Sequence, residues 1–539
     1  MTDKYREFEL GEPQYSREEI QSGEPVKAVY RKPVLAADIG NPYIEALPMA
    51  RDGEQLFAAY NIGIPGFRRE EQVALDLNEK YDAIGMLRQV RFLLPFHFEL
   101  ENFFSMALKT SYRNRQRRML PKGSEITLQN EPDLTHSFLH GNSAAAANAG
   151  LTLLGYSGCG KSAALEILLS NYPQVIVHQS ETMDRFVQIV YLVVVCPANS
   201  NFKSLYASAG AAIDRALGNT FPVYEKMISK CKTIGEKANK LSELIARFGI
   251  GCVIFDEIQL LDFHSQKDST FESLLEIVNK TKVALMAVGT EDAYQKMFPN
   301  LRTSRRTGLL IPANSYCKDK GFFSTIVQEL MRYQWFDTYV EPTDEIIDAL
   351  YTVSRGIIDQ LISIYMAIHF EYLRIDPRPE VDTEFIIGVA KSYYPEIQRI
   401  LSRFDTPDAE EAYNQMIEAA KMAAQTYLEP SQPNPVEYIQ KKYGDASTED
   451  RRVLRDNVIR NVMITAQTNN EVYTLKRIET AVDYVMGLKK NRQATEHELS
   501  SAAYTRLKKG PSDKRGGHKK KAVMDDSHLE IKKRLLEAY

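Results

Sequence analysis

Apolar and polar positions alternate differently in successive stretches of this chain. Residues 1–60 are polar, poorly periodic and rich in Pro and Gly, which reads as an extended arm. One compact patch interrupts it, Asn41-Pro42-Tyr43-Ile44-Glu45-Ala46-Leu47-Pro48. Two prolines bound a short apolar segment there, a pattern suited to docking on another surface. Residues 70–120 carry helical patterning. From about 150 the pattern changes to short β-rich runs, Leu151–Gly155, Ile189–Cys196, Gly251–Asp256, Val283–Gly289 and Gly308–Ile311, alternating with helical segments. Such interleaving predicts an α/β unit, a parallel sheet between layers of helices. Beyond it the periodicity predicts helices over Phe323–Tyr333, Asp344–Ser354, Ile357–Leu373 and Thr383–Phe404. Helical patterning resumes to about 500, broken at Pro430 and Pro433, and a helical end, His528–Tyr539, closes the chain. No internal repeat is present.

A chain of 539 residues is too long for one core and predicts three or four structural units. The net charge of −4 excludes a polybasic wrap for nucleic acid, so any such contact must come from local patches. Two exist. Lys109, Arg113, Arg115, Arg117, Arg118 and Lys122 form a basic run without an acidic residue, which is either a phosphate-binding surface or a solvated helix face. Arg506–Lys521 carries eight basic residues against Asp513 alone, with Gly510-Pro511 and Gly516-Gly517 opposing a helix. This reads as a disordered tail, either a loose DNA or acidic-partner contact or a solubilising end. No apolar run reaches the ~18 residues of a membrane span, and the polar N-terminus has no secretory pattern. Five dispersed cysteines argue against a disulfide framework and a zinc site, and fit a reducing cytoplasm. His178, His264 and His518 are equally dispersed, so no metal beyond Mg²⁺ is expected.

The sharpest chemistry lies in Gly155-Tyr156-Ser157-Gly158-Cys159-Gly160-Lys161-Ser162, a complete G-x-x-x-x-G-K-[ST]. Glycines let several backbone N–H groups converge on one anion, and the following helix adds its positive N-terminal end. Lys161 is expected on the β- and γ-phosphates of ATP and Ser162 on Mg²⁺. The context fits: Leu151–Leu154 precedes as a strand, and Ala163–Ser170 follows as a helix. In Cys252-Val253-Ile254-Phe255-Asp256-Glu257 an apolar strand ends in two carboxylates, 95 residues beyond Lys161. Asp256 is expected to hold Mg²⁺ through water, and Glu257 to activate the attacking water. Thr290, after the strand Val283–Val288, either senses the γ-phosphate or ends a strand. Arg305 and Arg306, in Arg302-Thr303-Ser304-Arg305-Arg306, either act on a neighbouring subunit's nucleotide or form a solvated basic end. Together these residues predict an ATPase.

In this order, with helices after the last strand, the motifs resemble the AAA+ ATPases. The resemblance narrows to the TnsC family, regulators of Tn-seven-like transposons. It does so through the Asn41–Pro48 patch, Tyr172-Pro173-Gln174-Val175-Ile176, Asp214-Arg215-Ala216-Leu217-Gly218, Asp256-Glu257-Ile258-Gln259 and Leu301–Arg306, and it covers about 29 to 365. It implies an AAA+ P-loop core at 146–316, a helical lid at 317–405, an N-terminal extension at 1–145 and a C-terminal helical extension at 406–539. It also implies ATP bound between adjacent subunits, and a homo-oligomeric ring or short spiral on double-stranded DNA. The implied partners are a TnsD- or TniQ-type target selector and transposase subunits of TnsA and TnsB type. Two departures stand out. After Ser354-Arg355-Gly356 the usual lid arginine position reads Ile357-Ile358-Asp359, with Arg355 one turn early, and Thr290 stands where many relatives carry Asn.

A ring threaded by DNA needs phosphate contacts facing its axis. Pro197–Ser204 is the expected place, through Asn201, Lys203 and Ser204; it is otherwise a strand-to-helix loop with Asn and Ser caps. The competing readings are a replication initiator or clamp-loader-like motor, and a nucleotide-sensing signalling scaffold. Initiators usually add a winged helix, and no β-wing pattern follows residue 405. Intact Lys161, Ser162, Asp256 and Glu257 oppose the scaffold reading.

Overall fold

A computed structural model describes residues 5–8, 12–113, 115, 150–180, 183–198, 202–261, 274, 277–278, 280–293, 309–405, 410–411, 413–418, 420, 434–469, 471, 473–488, 491 and 494–509. The chain divides into two compact units, Met1–Tyr443 and Gly444–Tyr539.

The first unit contains strands β1 Val26–Lys27, β2 Gly150–Leu154, β3 Val175–Ser180, β4 Met183–Ile189, β5 Tyr191–Val195, β6 Cys252–Asp256, β7 Ala284–Gly289 and β8 Leu309–Pro312. Five form a parallel sheet in the order β5-β6-β7-β2-β8. All five match predicted runs. Side chains alternate between the faces of a strand, and here both faces are buried. Cys252, Ile254, Ala284, Met286, Val288, Leu309 and Ile311 join one core. Val253, Phe255, Val283, Leu285, Ala287 and Leu310 join the other. The helices Phe202–Ala216 and Ile234–Arg247 supply the second core, and Phe96–Arg113 and Ile358–Arg374 the first. This is the parallel sheet between layers of helices that the sequence predicts, with helical regions on either side in sequence.

A second sheet, β1-β3-β4, was not predicted. Its hairpin β3–β4 merges with the next strand in the sequence. The apolar run Ile189–Cys196 reads as one strand, yet Ile189 ends β4 and Tyr191 begins β5, with no Gly or Pro at the junction. The predicted helix Thr383–Phe404 is divided as well. It stops at Tyr393, Tyr394 adopts φ −131°, and Pro395 opens Pro395–Leu401.

The arm docks on its own chain. Asn41 caps Pro42–Glu45, accepting from Tyr43 N–H, and its amide donates to Tyr112 O (3.0 Å). The Tyr43 ring stacks on Tyr112 (5.0 Å between centroids, 12°), and Tyr112 Oη donates to Gly249 O (3.0 Å). Gln188 from β4 donates to Tyr43 O (3.1 Å), and Glu45 accepts from Tyr5 Oη (2.7 Å) and Gly40 N–H (2.8 Å). The patch Asn41–Pro48 thus ties the arm, the helix Phe96–Arg113 and the β1-β3-β4 sheet together. Asp214 in the stretch Asp214–Gly218 is likewise structural: it accepts from the N–H groups of Val223, Tyr224 and Glu225, at the start of Tyr224–Ser229.

The second unit has its own core. Val458 and Val462, Ile478, Val482 and Val485 from Leu475–Met486, and Leu499, Ala503 and Leu507 from Glu496–Lys509 pack together. Arg455 pairs with Asp483 through two hydrogen bonds. Its described elements are helices. Arg506–Lys509, expected in a disordered tail, are helical, and Arg506 lies over the Tyr484 ring at 4.2 Å. The rest of that basic run lies outside the described residues. No described helix is long and apolar enough to cross a membrane.

Candidate functional site

The register of the sheet decides what meets at its carboxyl edge. Leu154 stands opposite Gly289 and Pro312, and Val195 opposite Asp256. The loops after β2, β6 and β7 therefore emerge side by side, where ligands of open α/β sheets sit. Between them and the helix Ile358–Arg374 lies a cleft of about 380 Å³.

The loop Gly155–Ser162 follows β2 and opens the helix Lys161–Leu169. Gly158 (φ +84°) and Gly160 (φ +96°) adopt left-handed backbone. Gly158 also lies against the helix Ile358–Arg374, where Asp359 N–H donates to its carbonyl (3.1 Å). A Cβ at 158 would come 3.0 Å from Asp359 Cβ. Ser157, Gly158, Gly160, Lys161 and Ser162 line the cleft. Gly155 and Cys159 face inward instead: both are buried, burial pushes the Cys159 thiol up to about 11, and the Cys159 carbonyl accepts from Tyr316 Oη (3.2 Å). Tyr156 is half-buried and stacks on Tyr413. The Lys161 ammonium donates to Gly155 O (2.8 Å) and Tyr156 O (2.9 Å), two carbonyls of its own loop.

Asp256, Glu257 and Thr290 line the same cleft. Asp256 is half-buried; burial, followed by the charge of Glu257, pushes its carboxyl up, while Lys161 acts the other way. Glu257 is exposed and holds left-handed backbone (φ 56°, ψ 41°) just past β6. Thr290 Oγ1 is buried without a hydrogen-bond partner beside this group. Gln259, present in the sequence reading only as part of a motif, bridges the two loops. Its amide nitrogen donates to Glu257 Oε2, and its amide oxygen accepts from Thr290 N–H (3.1 Å).

These residues suit Mg²⁺. Ser162 and Asp256 offer a hydroxyl and a carboxylate to one cleft, and a cation would relieve the cost of ionising half-buried Asp256. Among the described residues no group of three or more His, Cys, Asp or Glu is placed to hold a metal unaided. One or two protein oxygens completed by phosphate and water is the set that magnesium takes.

The rest of the cleft was missed by sequence reading. Its apolar wall comes from Tyr60, Val90, Phe92 and Leu94, with Ile358 and Ile362 from the helix opposite. Arg88 and Arg91 add two cations, and Arg91 donates to the carbonyls of Arg88 (2.6 Å) and Val90 (2.9 Å). His97 stacks on Tyr60 and is pushed down to about 3 by burial, so it is neutral. The early arginine, Arg355, is the left-handed C-cap of Asp344–Ser354 (φ 54°) and does not line the cleft; Asp359 and Ser363 do.

Lys203 and Ser204 stand in the first turn of Phe202–Ala216, with Lys203 exposed, rather than in a loop. Asn201, Arg302, Arg305 and Arg306 lie outside the described residues. Of the basic run at 109–122, the described members face inward. Arg113 pairs with Asp38 through two hydrogen bonds (2.6 and 2.8 Å), and Arg115 donates to Ile250 O (2.6 Å). Burial, followed by the charge of Arg113, pushes the Lys109 ammonium down. Arg117, Arg118 and Lys122 lie outside the described residues.

Residues 147–297 match the family described as AAA domain. No curated protein matches the chain. Among solved structures it is similar to the Orc1 protein of Aeropyrum pernix, determined in complex with DNA: 15% identity, 55% of this chain and 78% of that one, TM-score 0.31. It is also similar to Cdc6p from Pyrobaculum aerophilum: 17% identity, 61% of this chain and 97% of that one, TM-score 0.30. A third is PCH-2 of C. elegans: 13% identity, 58% and 72%, TM-score 0.28. The segment 147–297 that matches the AAA domain holds the phosphate loop and four of the five strands of the parallel sheet, β2, β5, β6 and β7.

Proposed function

We propose that this chain is an ATP-hydrolysing regulator of TnsC type. It assembles on double-stranded DNA and couples a TnsD- or TniQ-type target selector to a transposase of TnsA and TnsB type. One observation carries the hydrolytic reading: Lys161, Ser162, Asp256, Glu257 and Thr290 line a single cleft at the carboxyl edge of the sheet. The transposition reading rests on the Asn41–Pro48 patch and the Asp-Glu-Ile-Gln ending.

In this reading the Gly155–Ser162 backbone and Lys161 hold the phosphates, and the wall of Tyr60, Val90, Phe92 and Ile362 takes the base. Ser162 and Asp256 would hold Mg²⁺, which neutralises phosphate charge when bound. Glu257 accepts the proton of the attacking water, and Thr290 Oγ1 donates to the γ-phosphate. Arg305 and Arg306 act on the nucleotide of a neighbouring subunit, and Asn201, Lys203 and Ser204 contact DNA phosphates.

The test is Glu257→Gln. The amide cannot take a proton, so hydrolysis should fall by about 10²–10⁴-fold while ATP affinity is retained. DNA-bound assemblies of the variant should outlast those of the wild type after free ATP is removed. Equal lifetimes would sink the idea that hydrolysis times disassembly. An initiator-like motor is the second reading, against which the separate core at 458–507 holds only helices among the described residues and no β-wing. It predicts binding that depends on duplex sequence, whereas the first reading predicts indifference to it.

A further inference from the structure

Gln259 occupies a position that no nucleotide-binding motif explains. Its amide spans two loops, and each end meets the partner its chemistry demands. The NH₂ donates to a carboxylate oxygen of Glu257, and the C=O accepts the backbone N–H of Thr290. Turning the amide over would set oxygen against carboxylate and NH₂ against N–H, so the two partners fix its orientation. The end of β7 is shaped to admit it. A Cβ on Gly289 would come 2.6 Å from Gln259 Oε1 and 2.7 Å from Ile258 Cγ2. Gly289 O in turn accepts from Gly155 N–H (3.3 Å), the first residue of the phosphate loop. Beside this bridge Thr290 Oγ1 is buried without a partner, and Glu257 sits in left-handed backbone.

We propose that Gln259 is the positioning residue for hydrolysis. It passes the engagement of Thr290 by the γ-phosphate to Glu257, and so fixes the free carboxylate oxygen toward the attacking water. This rests on the hydrolytic reading of the cleft given above. The bond from Gln259 occupies Oε2 and leaves Oε1 as the base. A shift of the Thr290 backbone on meeting the γ-phosphate moves the amide oxygen, and with it the carboxylate at the other end. Glutamine alone combines the reach with one donor and one acceptor. Methionine keeps the bulk and loses both bonds, while glutamate keeps the acceptor toward Thr290 N–H and sets a like charge beside Glu257.

The experiment is steady-state ATP hydrolysis by the full chain, with ATP affinity from a fluorescent-nucleotide titration and folding from thermal melts. Gln259→Met should lower kcat by about tenfold or more, as the loss of a partner orienting an active group does, with KM and ATP affinity within about twofold of wild type. Combining it with Thr290→Val should add little, because the message of Thr290 no longer reaches Glu257. If Gln259→Met loses its melt or its ATP affinity, Gln259→Glu decides, with the same selective loss of kcat expected. Wild-type kcat in a folded, ATP-binding Gln259→Met protein would overturn the inference alone, as would fully multiplicative losses in the double variant. Absence of hydrolysis by the wild type, with and without duplex DNA, would overturn the hydrolytic reading and this inference with it.

Discussion

Gly158 bears two separate demands, a left-handed backbone angle and a helix start pressed against it. Gly66 meets only the first, with φ +66° and open space where a Cβ would stand. Alanine at either position incurs backbone strain of about 1–2 kcal/mol. At 158 it also crowds Asp359 and Ile357. Gly158→Ala should therefore lower Tm by more than Gly66→Ala, and should weaken ATP binding where Gly66→Ala does not. Parallel melts and nucleotide titrations check both; equal effects would show that the packing against Asp359 is slack. Residues of this kind were legible in the sequence because the phosphate loop is contiguous and its glycines sit at fixed spacings. Gln259 was not legible as a bridge: its partners are Glu257, two positions away, and Thr290, 31 positions away, and only the pairing of β6 with β7 brings them together.

The helix Phe96–Arg113 concentrates buried ionisable groups, and their pH dependence can be read from burial. Glu101 is fully buried; the Arg51 backbone N–H donates to one of its oxygens (3.3 Å), and the Arg51 guanidinium lies 3.7 Å from the other. Burial pushes its carboxyl up to about 7. Its contribution to stability is therefore present below about 4.5, where the unfolded chain is protonated as well, and is lost as pH rises from there to about 7. His97, and His369 of Ile358–Arg374, are pushed down to about 3 by burial. The unfolded chain protonates both below about 6.5, so their contribution is lost as pH falls from there. In thermal melts Glu101→Gln should gain on the wild type as pH rises from about 4.5 to 7, with the difference constant above 7. A Tm difference between the two proteins that stays the same from about pH 4.5 to 7 would contradict the assignment. The helix was predicted, but its burial was not. Its basic end suggested an outward surface, whereas Asp38 and the carbonyl of Ile250 turn Arg113 and Arg115 inward. The walls of the cleft were hidden for a related reason: residues 60–94 and 358–363 converge on the phosphate loop from far away in sequence, with no local pattern to announce it.

For the whole molecule, the net charge of −4 means that the proposed DNA binding would fall to a few cations repeated around an assembly. If Lys203 faces the duplex, Lys203→Ala should weaken binding equally for unrelated sequences, because phosphates carry no base information. The slope of log affinity against log salt should flatten by about 0.9 for each phosphate that the variant no longer neutralises. A salt titration at constant ATP, with a truncation after Lys509 as comparator, measures this. An unchanged slope for Lys203→Ala beside a large drop in affinity for the truncation would transfer the DNA path to the C-terminal basic residues.

The arm and the helix behind it also set a timetable for the nascent chain. Tyr112 finds its hydrogen-bond acceptor at Gly249, 137 residues later. At synthesis rates of about 5–20 residues per second, that partner arrives roughly 7–30 s after Tyr112 itself. Until then Phe103, Phe104, Leu108 and Tyr112, all buried in the finished fold, have no sheet to cover them. The N-terminal segment should therefore leave the ribosome with these side chains exposed, and their burial waits for the strands that follow.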